Sequence, residues 1–456
     1  MISRPEYLKK LLSVKDTDLV KIVTGVRRSG KSTLFKLYRA ELLKQGVLPE
    51  QIQSINLEDL ENEHLTDYRK LYEQIKGKLV PGKKNYVFLD EVQAVDGFGK
   101  VIDSLFLKDV DVYVTGSNSK LLSGDIEHTI QRQKFKIEMY PLSFKEYLNG
   151  YSDSGMPLRA PDVIYEQYVK YGAFPRVLGF IKEATRKASY EKKTKSIGFR
   201  ANQEEHEKIQ ELATNNSVSM SEYLRSALSL HMNDTELQPL ITTYLSEIYD
   251  RVVLKDIVEN KSVKDVGRLK TVLRFMADNV GKDATSILRM SKIMTDSGCK
   301  INTHTLESYI EAFCDSFMLY RADRYDVRGK AILKTQQKYY MVDSGIRGLL
   351  LGDTSLDRGR VLENIVYLEL LRRGYTVNIG KAGDKEIDFV AKRGDIVEYY
   401  QVAQSVLDEA THEREFSAFD GIKDNHPKFV LTRDYTDFNQ DGIKHINVLK
   451  WLLDEE

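Results

Sequence analysis

Cysteine is scarce in this sequence: Cys299 and Cys314 are the two present, with neither CxxC spacing nor a histidine cluster beside them. That pattern gives no basis for a disulfide framework or a cysteine-ligated metal, and reduced thiols near a core are the simple reading. Long hydrophobic runs are missing too. No apolar stretch approaches the roughly 20 residues that span a bilayer. Met1 is followed by charged, helix-like sequence rather than a signal peptide. A cytoplasmic protein without a membrane partner is therefore expected. An excess of either charge is also absent, since 68 Lys and Arg balance 68 Asp and Glu. Whole-chain charge thus says nothing about nucleic acid, and any basic patch must be local. No internal repeat or low-complexity tract breaks the chain.

What is present is globular in composition, 41% apolar and 30% charged. At 456 residues the chain is too long for one ordinary core, so two to four domains are expected. In the first 120 residues short apolar runs alternate with amphipathic stretches. Leu19–Thr24, Ser54–Leu57, Tyr86–Leu89 and Val112–Thr115 read as strands, Ser32–Gln45 and Thr66–Lys78 as helices. This alternation predicts an α/β fold, a parallel sheet with helices on both faces. From Phe144 to Phe180 the pattern is helical, broken by the turn Tyr171–Pro175 (YGAFP). Helical sequence returns from Leu237 to about Phe317. Strand-like runs follow at Tyr320–Val327 and Lys338–Val342. The last hundred residues read as a helix, Arg360–Arg373, and then strands at Thr376–Ile379, Glu386–Ala391, Val397–Val402 and near Phe429–Leu431.

Gly25-Val-Arg-Arg-Ser-Gly-Lys-Ser32 matches G-x-x-x-x-G-K-[ST] and lies between a strand and a helix, where a P-loop must lie. Glycines at 25 and 30 let backbone N–H groups turn inward on phosphate oxygens, and the helix start adds its positive dipole end. The candidate nucleotide-binding residues are Gly25, Arg28, Ser29, Gly30, Lys31, Ser32 and Thr33. Lys31 would neutralise the β- and γ-phosphates and Ser32 would offer its hydroxyl to Mg²⁺. The apolar strand Tyr86–Leu89 ends in two carboxylates: Asp90 for the Mg²⁺, Glu91 to orient and deprotonate the attacking water. Thr115-Gly-Ser-Asn118 ends a third strand, and Asn118 is the candidate γ-phosphate sensor. ATP and Mg²⁺ are the expected cofactors.

The runs GVRRSGKST, NLED at Asn56–Asp59, YVFLDEVQ, VTGSNSKLLSG and YPLSFKEYL, then YGAFP, YLSEIYDRVVLKDI, KYYMVDSGIR, LENIVYLELLRRGY, KEIDFV and YYQVAQS, resemble bacterial and archaeal AAA+ ATPases that carry a C-terminal domain of unknown function. The resemblance covers nearly the whole chain outside about residues 185–236. It implies an AAA+ core (1–150), the start of a helical lid (151–184), a helical and winged-helix-like region (237–345) and a PD-(D/E)XK nuclease-like domain (346–456). It also implies assembly into a ring in which a neighbour's arginine reaches the γ-phosphate. The corresponding stretch here is Ile130-Gln-Arg-Gln-Lys134, in which that arginine is displaced to Arg132 or lost, while Arg176 after the YGAFP turn is a candidate phosphate-sensing arginine or a surface salt bridge. In the nuclease-like domain Glu363, Asp388 and Gln401 match metal-site positions. The Glu-x-Lys of that arrangement is Gln401-Val-Ala403 here, without its lysine and with an amide replacing a carboxylate, a poorer ligand for a hard cation. A nuclease-shaped domain with impaired or absent cleavage is expected.

The inserted segment, 185–236, resembles a ribbon–helix–helix DNA-binding module of the kind found in plasmid mobilisation proteins. Lys195–Ala201 alternates, with Ile197 and Phe199 on one face. Asn202 with Glu205, and Ser219 with Glu222, form two capping boxes. One such strand cannot be buried alone, so two chains would pair strands into a ribbon for the major groove of double-stranded DNA. Ser196 and Arg200 would read bases, Lys195 would supply charge, and the Ser219 helix start would clamp phosphate. The reading that follows is an oligomeric, ATP-hydrolysing DNA-binding protein whose nucleotide state is coupled to DNA. A DNA-bound regulator using ATP as a switch, or an ATP-gated nuclease, are the alternatives.

Overall fold

The structure is a computed structural model that describes residues 2–117, 133–153, 160–191, 202–215, 219–220, 237–259, 263–282, 285–352 and 357–455. Two compact units emerge: Met1–Pro141 with Cys314–Met318, and Leu142–Phe313 with Leu319–Glu456. Among the described residues no helix is long and apolar enough to cross a membrane.

In the first unit helix α1 (Pro5–Leu12) precedes β1 (Val20–Thr24), α2 (Lys31–Lys44), β2 (Ile52–Asn56), α3 (Tyr68–Gly77), β3 (Asn85–Asp90), α4 (Phe98–Phe106), β4 (Val110–Gly116) and β5 (Lys134–Glu138). The strands form one parallel sheet in the order β2-β3-β4-β1-β5. Both faces are covered, so β1 and β4 are buried at every position. Successive side chains serve opposite faces. Ile22, Val87, Leu89, Val112 and Val114 pack with Leu71 and Ile75 of α3 and Ile102 of α4. Val23, Phe88 and Tyr113 pack instead with Leu11 of α1 and Leu34, Phe35 and Tyr38 of α2. This is the expected α/β arrangement, with strand ends within a few residues of those predicted. Because every strand runs the same way, the P-loop after β1, the carboxylates ending β3 and the tip of β4 share one end of the sheet. Parallel α/β sheets bind ligands at that end.

The second unit opens with helices Phe144–Ser152, Pro161–Tyr171 and Pro175–Glu191, and continues with Gln203–Asn215. Helix 237–250 widens into a π-helical stretch, Arg251–Glu259. Helices Val266–Asp278, Ile287–Asp296 and Thr303–Asp315 follow, and then β6 (Leu319–Asp326) and β7 (Ala331–Met341). β8 (Thr376–Ala382), β9 (Lys385–Arg393), β10 (Ile396–Val402), β11 (Lys428–Thr432) and β12 (Ile443–Asn447) complete a mixed sheet ordered β12-β11-β10-β9-β8-β6-β7.

Two differences from the expected boundaries stand out. The Phe144–Ser152 helix falls in the second unit, although residues up to 150 were expected in the core. Strands β6 and β7, expected within the helical and winged-helix-like region 237–345, also extend the C-terminal sheet. Arg324, Tyr325 and Asp326 pair in parallel with Ile379, Gly380 and Lys381. A free strand edge exposes backbone donors and acceptors, and β8 satisfies those of β6. Thr285 bridges Gln337 of β7, tying the hairpin to the preceding helices as well.

Two motif-like runs distant in sequence interlock in this unit. Asp343 accepts hydrogen bonds from the N–H of Ala173 at 2.6 Å and of Ile346 at 3.0 Å. Gly172 lies at φ +84°, and a Cβ there would stand 2.2 Å from Asp343 Oδ1. At Gly345 a Cβ would come within 2.4 Å of the Tyr171 carbonyl oxygen. The glycines of YGAFP and of VDSG are therefore required by each other's approach.

Candidate functional site

The P-loop leaves β1 at Gly25, whose φ is +141° and whose Cβ, were there one, would sit 2.1 Å from the Met139 carbonyl oxygen. No other residue fits between β1 and the chain leaving β5. Gly30 caps α2 in the left-handed region, so that helix begins at Lys31 with its first N–H groups facing the loop. Lys31 is buried, and its Nζ donates to the carbonyls of Gly25 (2.9 Å) and Val26 (3.2 Å). Arg28 is exposed at φ +64°, and Thr33 is half-buried in the first turn of α2.

Asp90 ends β3 and meets the loop directly. It accepts hydrogen bonds from the hydroxyls of Ser32 and Thr115. Burial raises its pKa above the ordinary aspartate value of 3.8, with those two hydroxyls and Lys31 pulling back and Glu91 pushing further up. Glu91 turns the chain at φ +56°, and its N–H donates to Thr115 Oγ1 at 2.9 Å. Its Oε1 lies 3.6 Å from Lys31 Nζ. One cation, one hydroxyl and two carboxylates thus converge, as their spacing in the sequence predicts.

Four further residues belong to this constellation. Arg27 holds Glu58 through two hydrogen bonds of 3.0 and 2.8 Å, joining the loop to the chain after β2. Thr115 bridges Asp90 and the Glu91 backbone because β4 lies between β1 and β3. Gln93 donates to Glu91 Oε2 at 2.5 Å. All four sit in runs the sequence singled out, Arg27 in GVRRSGKST, Glu58 in NLED, Thr115 in VTGSNSKLLSG and Gln93 in YVFLDEVQ. Asn118 and Arg132 lie outside the described residues. Arg176 is exposed, paired with Glu183 at 3.7 Å and stacked over Phe180 at 4.7 Å.

The donor set suits a magnesium triphosphate. The helix start, Lys31 and the loop amides match phosphate oxygens, while the Ser32 hydroxyl and the Asp90 carboxylate match a hard cation. Ser29 Oγ is buried in the loop without a hydrogen-bond partner among the described residues, a donor still available to a phosphate.

The nuclease-like residues also come together, on β7, β9, β10 and the Arg358–Arg372 helix. Asp388 N–H donates to Gln401 Oε1 at 3.1 Å, and Val402 N–H donates to Asp388 Oδ2 at 2.8 Å. Lys338 reaches into this group, 2.7 Å from Glu386 Oε1 and 3.4 Å from Glu363 Oε1. Tyr340 OH donates to Glu363 at 2.7 Å. Burial pulls the Lys338 pKa down, but Glu363, Asp388 and Glu386 outweigh it and hold the ammonium above its ordinary value. Burial and Glu363 push Asp388 well up, against Lys338. Lys338 brings to these carboxylates the lysine that Gln401-Val-Ala403 lacks, while the metal-site position at 401 holds an amide. Gln401 Oε1 is engaged by backbone, and no group of three or more His, Cys, Asp or Glu among the described residues is arranged to hold a metal.

In the inserted segment the first capping box is present. Glu205 N–H donates to Asn202 Oδ1 at 2.8 Å and Asn202 N–H to Glu205 Oε2 at 2.9 Å, starting the Gln203–Asn215 helix. Ala213 is buried, with Ile209 and Leu212 half-buried. Ser219 is exposed. Lys195, Ser196, Arg200 and Glu222 lie outside the described residues.

A five-stranded parallel sheet whose P-loop, acidic strand end and β4 tip converge is an AAA-type P-loop ATPase domain, and the AAA domain family matches residues 17–148. A domain of unknown function matches residues 226–357, and the family of the mobilization protein NikA matches 191–232. The chain belongs to one family with an uncharacterized protein of Haemophilus influenzae, to which it is 36% identical over 456 residues, 99% of each chain. An uncharacterized protein of Methanocaldococcus jannaschii is 26% identical over 442 residues, 94% of this chain and 84% of that one. Among solved structures, a Walker-type ATPase of Pyrococcus abyssi superposes with TM-score 0.46 at 15% identity, covering 77% of this chain and 96% of its own. AMPPCP-bound DnaA from Aquifex aeolicus gives TM-score 0.29 at 12% identity, covering 54% and 92%. Neither score is high enough to establish a shared whole-chain fold.

Proposed function

We propose that this protein hydrolyses ATP with Mg²⁺ and couples that cycle to double-stranded DNA through residues 191–232, as a dimer or a larger ring. The observation that carries the ATPase reading is the meeting of Lys31, Ser32, Asp90 and Glu91 at one end of the sheet. Lys31 and the loop N–H groups bind the β- and γ-phosphates. Ser32 and Asp90 hold the Mg²⁺, which when bound supplies countercharge to the phosphate oxygens. Glu91 orients a water and takes its proton. Asn118, one residue beyond the buried Ser117, is the proposed γ-phosphate sensor.

The DNA reading is supported by the match to the family of the mobilization protein NikA and by the Asn202–Glu205 cap. Gln401, an amide at a metal-site position whose oxygen is held by the Asp388 N–H, supports a C-terminal domain with impaired or absent cleavage. The test is ATP turnover by wild type and Lys31→Ala, with and without duplex DNA, beside mass photometry of the assembly. Turnover that duplex DNA stimulates and Lys31→Ala abolishes is expected. Binding without turnover would favour a nucleotide switch instead.

A further inference from the structure

Glu91 is held at three points, its backbone N–H and both carboxylate oxygens. Its backbone sits at φ +56°, in the left-handed region, pinned by the N–H donated to Thr115. Its two side-chain oxygens face different partners. Oε1 lies 3.6 Å from Lys31 Nζ, and Oε2 accepts from Gln93 Nε2 at 2.5 Å. The Gln93 amide also reaches Ser117 Oγ at 3.4 Å. Gln93 itself is exposed, whereas Ser117 is only 1% exposed at the tip of β4. An exposed glutamine contributes little to a core. Its position is explained by what it touches.

We infer that Gln93 is a positioning residue for ATP hydrolysis: its amide holds Glu91 by Oε2, leaves Oε1 on the Lys31 side to accept the water's proton, and ties the base to the tip of β4. This rests on the ATPase reading of the site. An amide is suited to the task because it donates without charge, so it orients the carboxylate while leaving it an anion. Ser117 directly precedes Asn118, so the link joins the water-activating group to the strand tip proposed to sense the γ-phosphate. A carboxylate free to rotate would spend less time aligned, and alignment affects the chemical step more than nucleotide binding.

The experiment is steady-state ATP hydrolysis by full-length wild type, Gln93→Ala and Gln93→Glu, with melting temperatures measured alongside. Gln93→Ala should lower kcat about 10- to 100-fold with KM for ATP within about twofold. Gln93→Glu keeps the shape, cannot donate and repels Glu91, so it should lose at least as much. Melting temperatures should match wild type. An unchanged kcat in Gln93→Ala, or a loss that comes with a matching fall in melting temperature, overturns the assignment while wild-type turnover leaves the ATPase reading standing. A wild type without turnover overturns both.

Discussion

Asp90 must be ionised to hold a divalent cation, yet burial pushes its pKa upward from 3.8. Hydrogen bonds from Ser32 and Thr115 and the charge of Lys31 oppose that push. The sign follows. As pH falls, Asp90 of the metal-free protein takes its proton at a higher pH than an exposed aspartate would, and since that proton competes with Mg²⁺ for the carboxylate, turnover at limiting Mg²⁺ declines there. Thr115→Val removes one opposing hydrogen bond and also leaves the Glu91 N–H without its acceptor. Its acid limb should move to higher pH and its maximal rate should fall about tenfold or more, read from pH–rate profiles of both proteins. Superimposable profiles would refute this account of Thr115. Lys31, Ser32, Asp90 and Glu91 were legible because phosphate and metal chemistry fixes their spacing along the chain. The roles of Thr115 and Gln93 were not, since their partners depend on β4 inserting between β1 and β3, which no local pattern encodes.

At the scale of elements, the interlock of YGAFP with VDSG joins positions 170 residues apart. Both runs stand out as motifs, but their partnership is a long-range fact, and only the closeness of Gly172 to Asp343 explains either glycine. Gly172→Ala places a methyl into the carboxylate at a positive φ, so about 2–4 kcal/mol of stability should be lost in denaturant titrations. Asp343 carries the pH consequence. Burial pushes its pKa to about 6, against the pull of the Ala173, Ile346 and Gly345 N–H groups. An acid raised in the fold binds its proton more tightly there than in the unfolded chain. Its contribution to stability therefore declines as pH rises from about 4 to about 6, and is constant above. Compared at pH 5 and pH 7, wild type should lose more stability, or gain less, than Asp343→Asn, which has no proton to release. Equal changes in the two proteins would contradict the assignment.

The Lys338 cluster makes a similar case. Its parts, Glu363, Asp388 and Gln401, were legible as a nuclease outline because that outline has a sequence order. The lysine that fills it was hidden, because it arrives on β7, before the helix that carries Glu363. Lys338→Met would leave Glu363, Glu386 and Asp388 facing one another uncompensated, costing about 3–5 kcal/mol. Supercoiled plasmid incubated with the wild type and Mg²⁺ or Mn²⁺ should remain intact. Cutting that Asp388→Ala abolishes would show that the outline still works as an enzyme.

For the whole molecule, the decisive quantity is how far DNA changes ATP turnover. Net charge is zero, yet six Lys or Arg against Glu191 alone occupy residues 186–200, directly before and within the stretch matched to the family of the mobilization protein NikA. Charge so concentrated attracts phosphate backbone even in a neutral protein, and the attraction must weaken as salt rises because binding releases counterions. A ribbon needs a second chain, so DNA affinity should also depend on assembly. If the segment is the DNA sensor, Lys192→Ala with Lys193→Ala should weaken duplex binding about tenfold or more and reduce the salt slope by about one for each phosphate no longer neutralised. Arg200→Ala, at a proposed base-reading position, should instead relax sequence preference by about 1–3 kcal/mol at one base pair. In the double lysine variant, at subsaturating duplex, the ratio of turnover with duplex to turnover without it should fall toward one. A ratio unchanged while DNA binding disappears would separate the two activities and leave residues 191–232 as a tether, with the ATPase answering to something else.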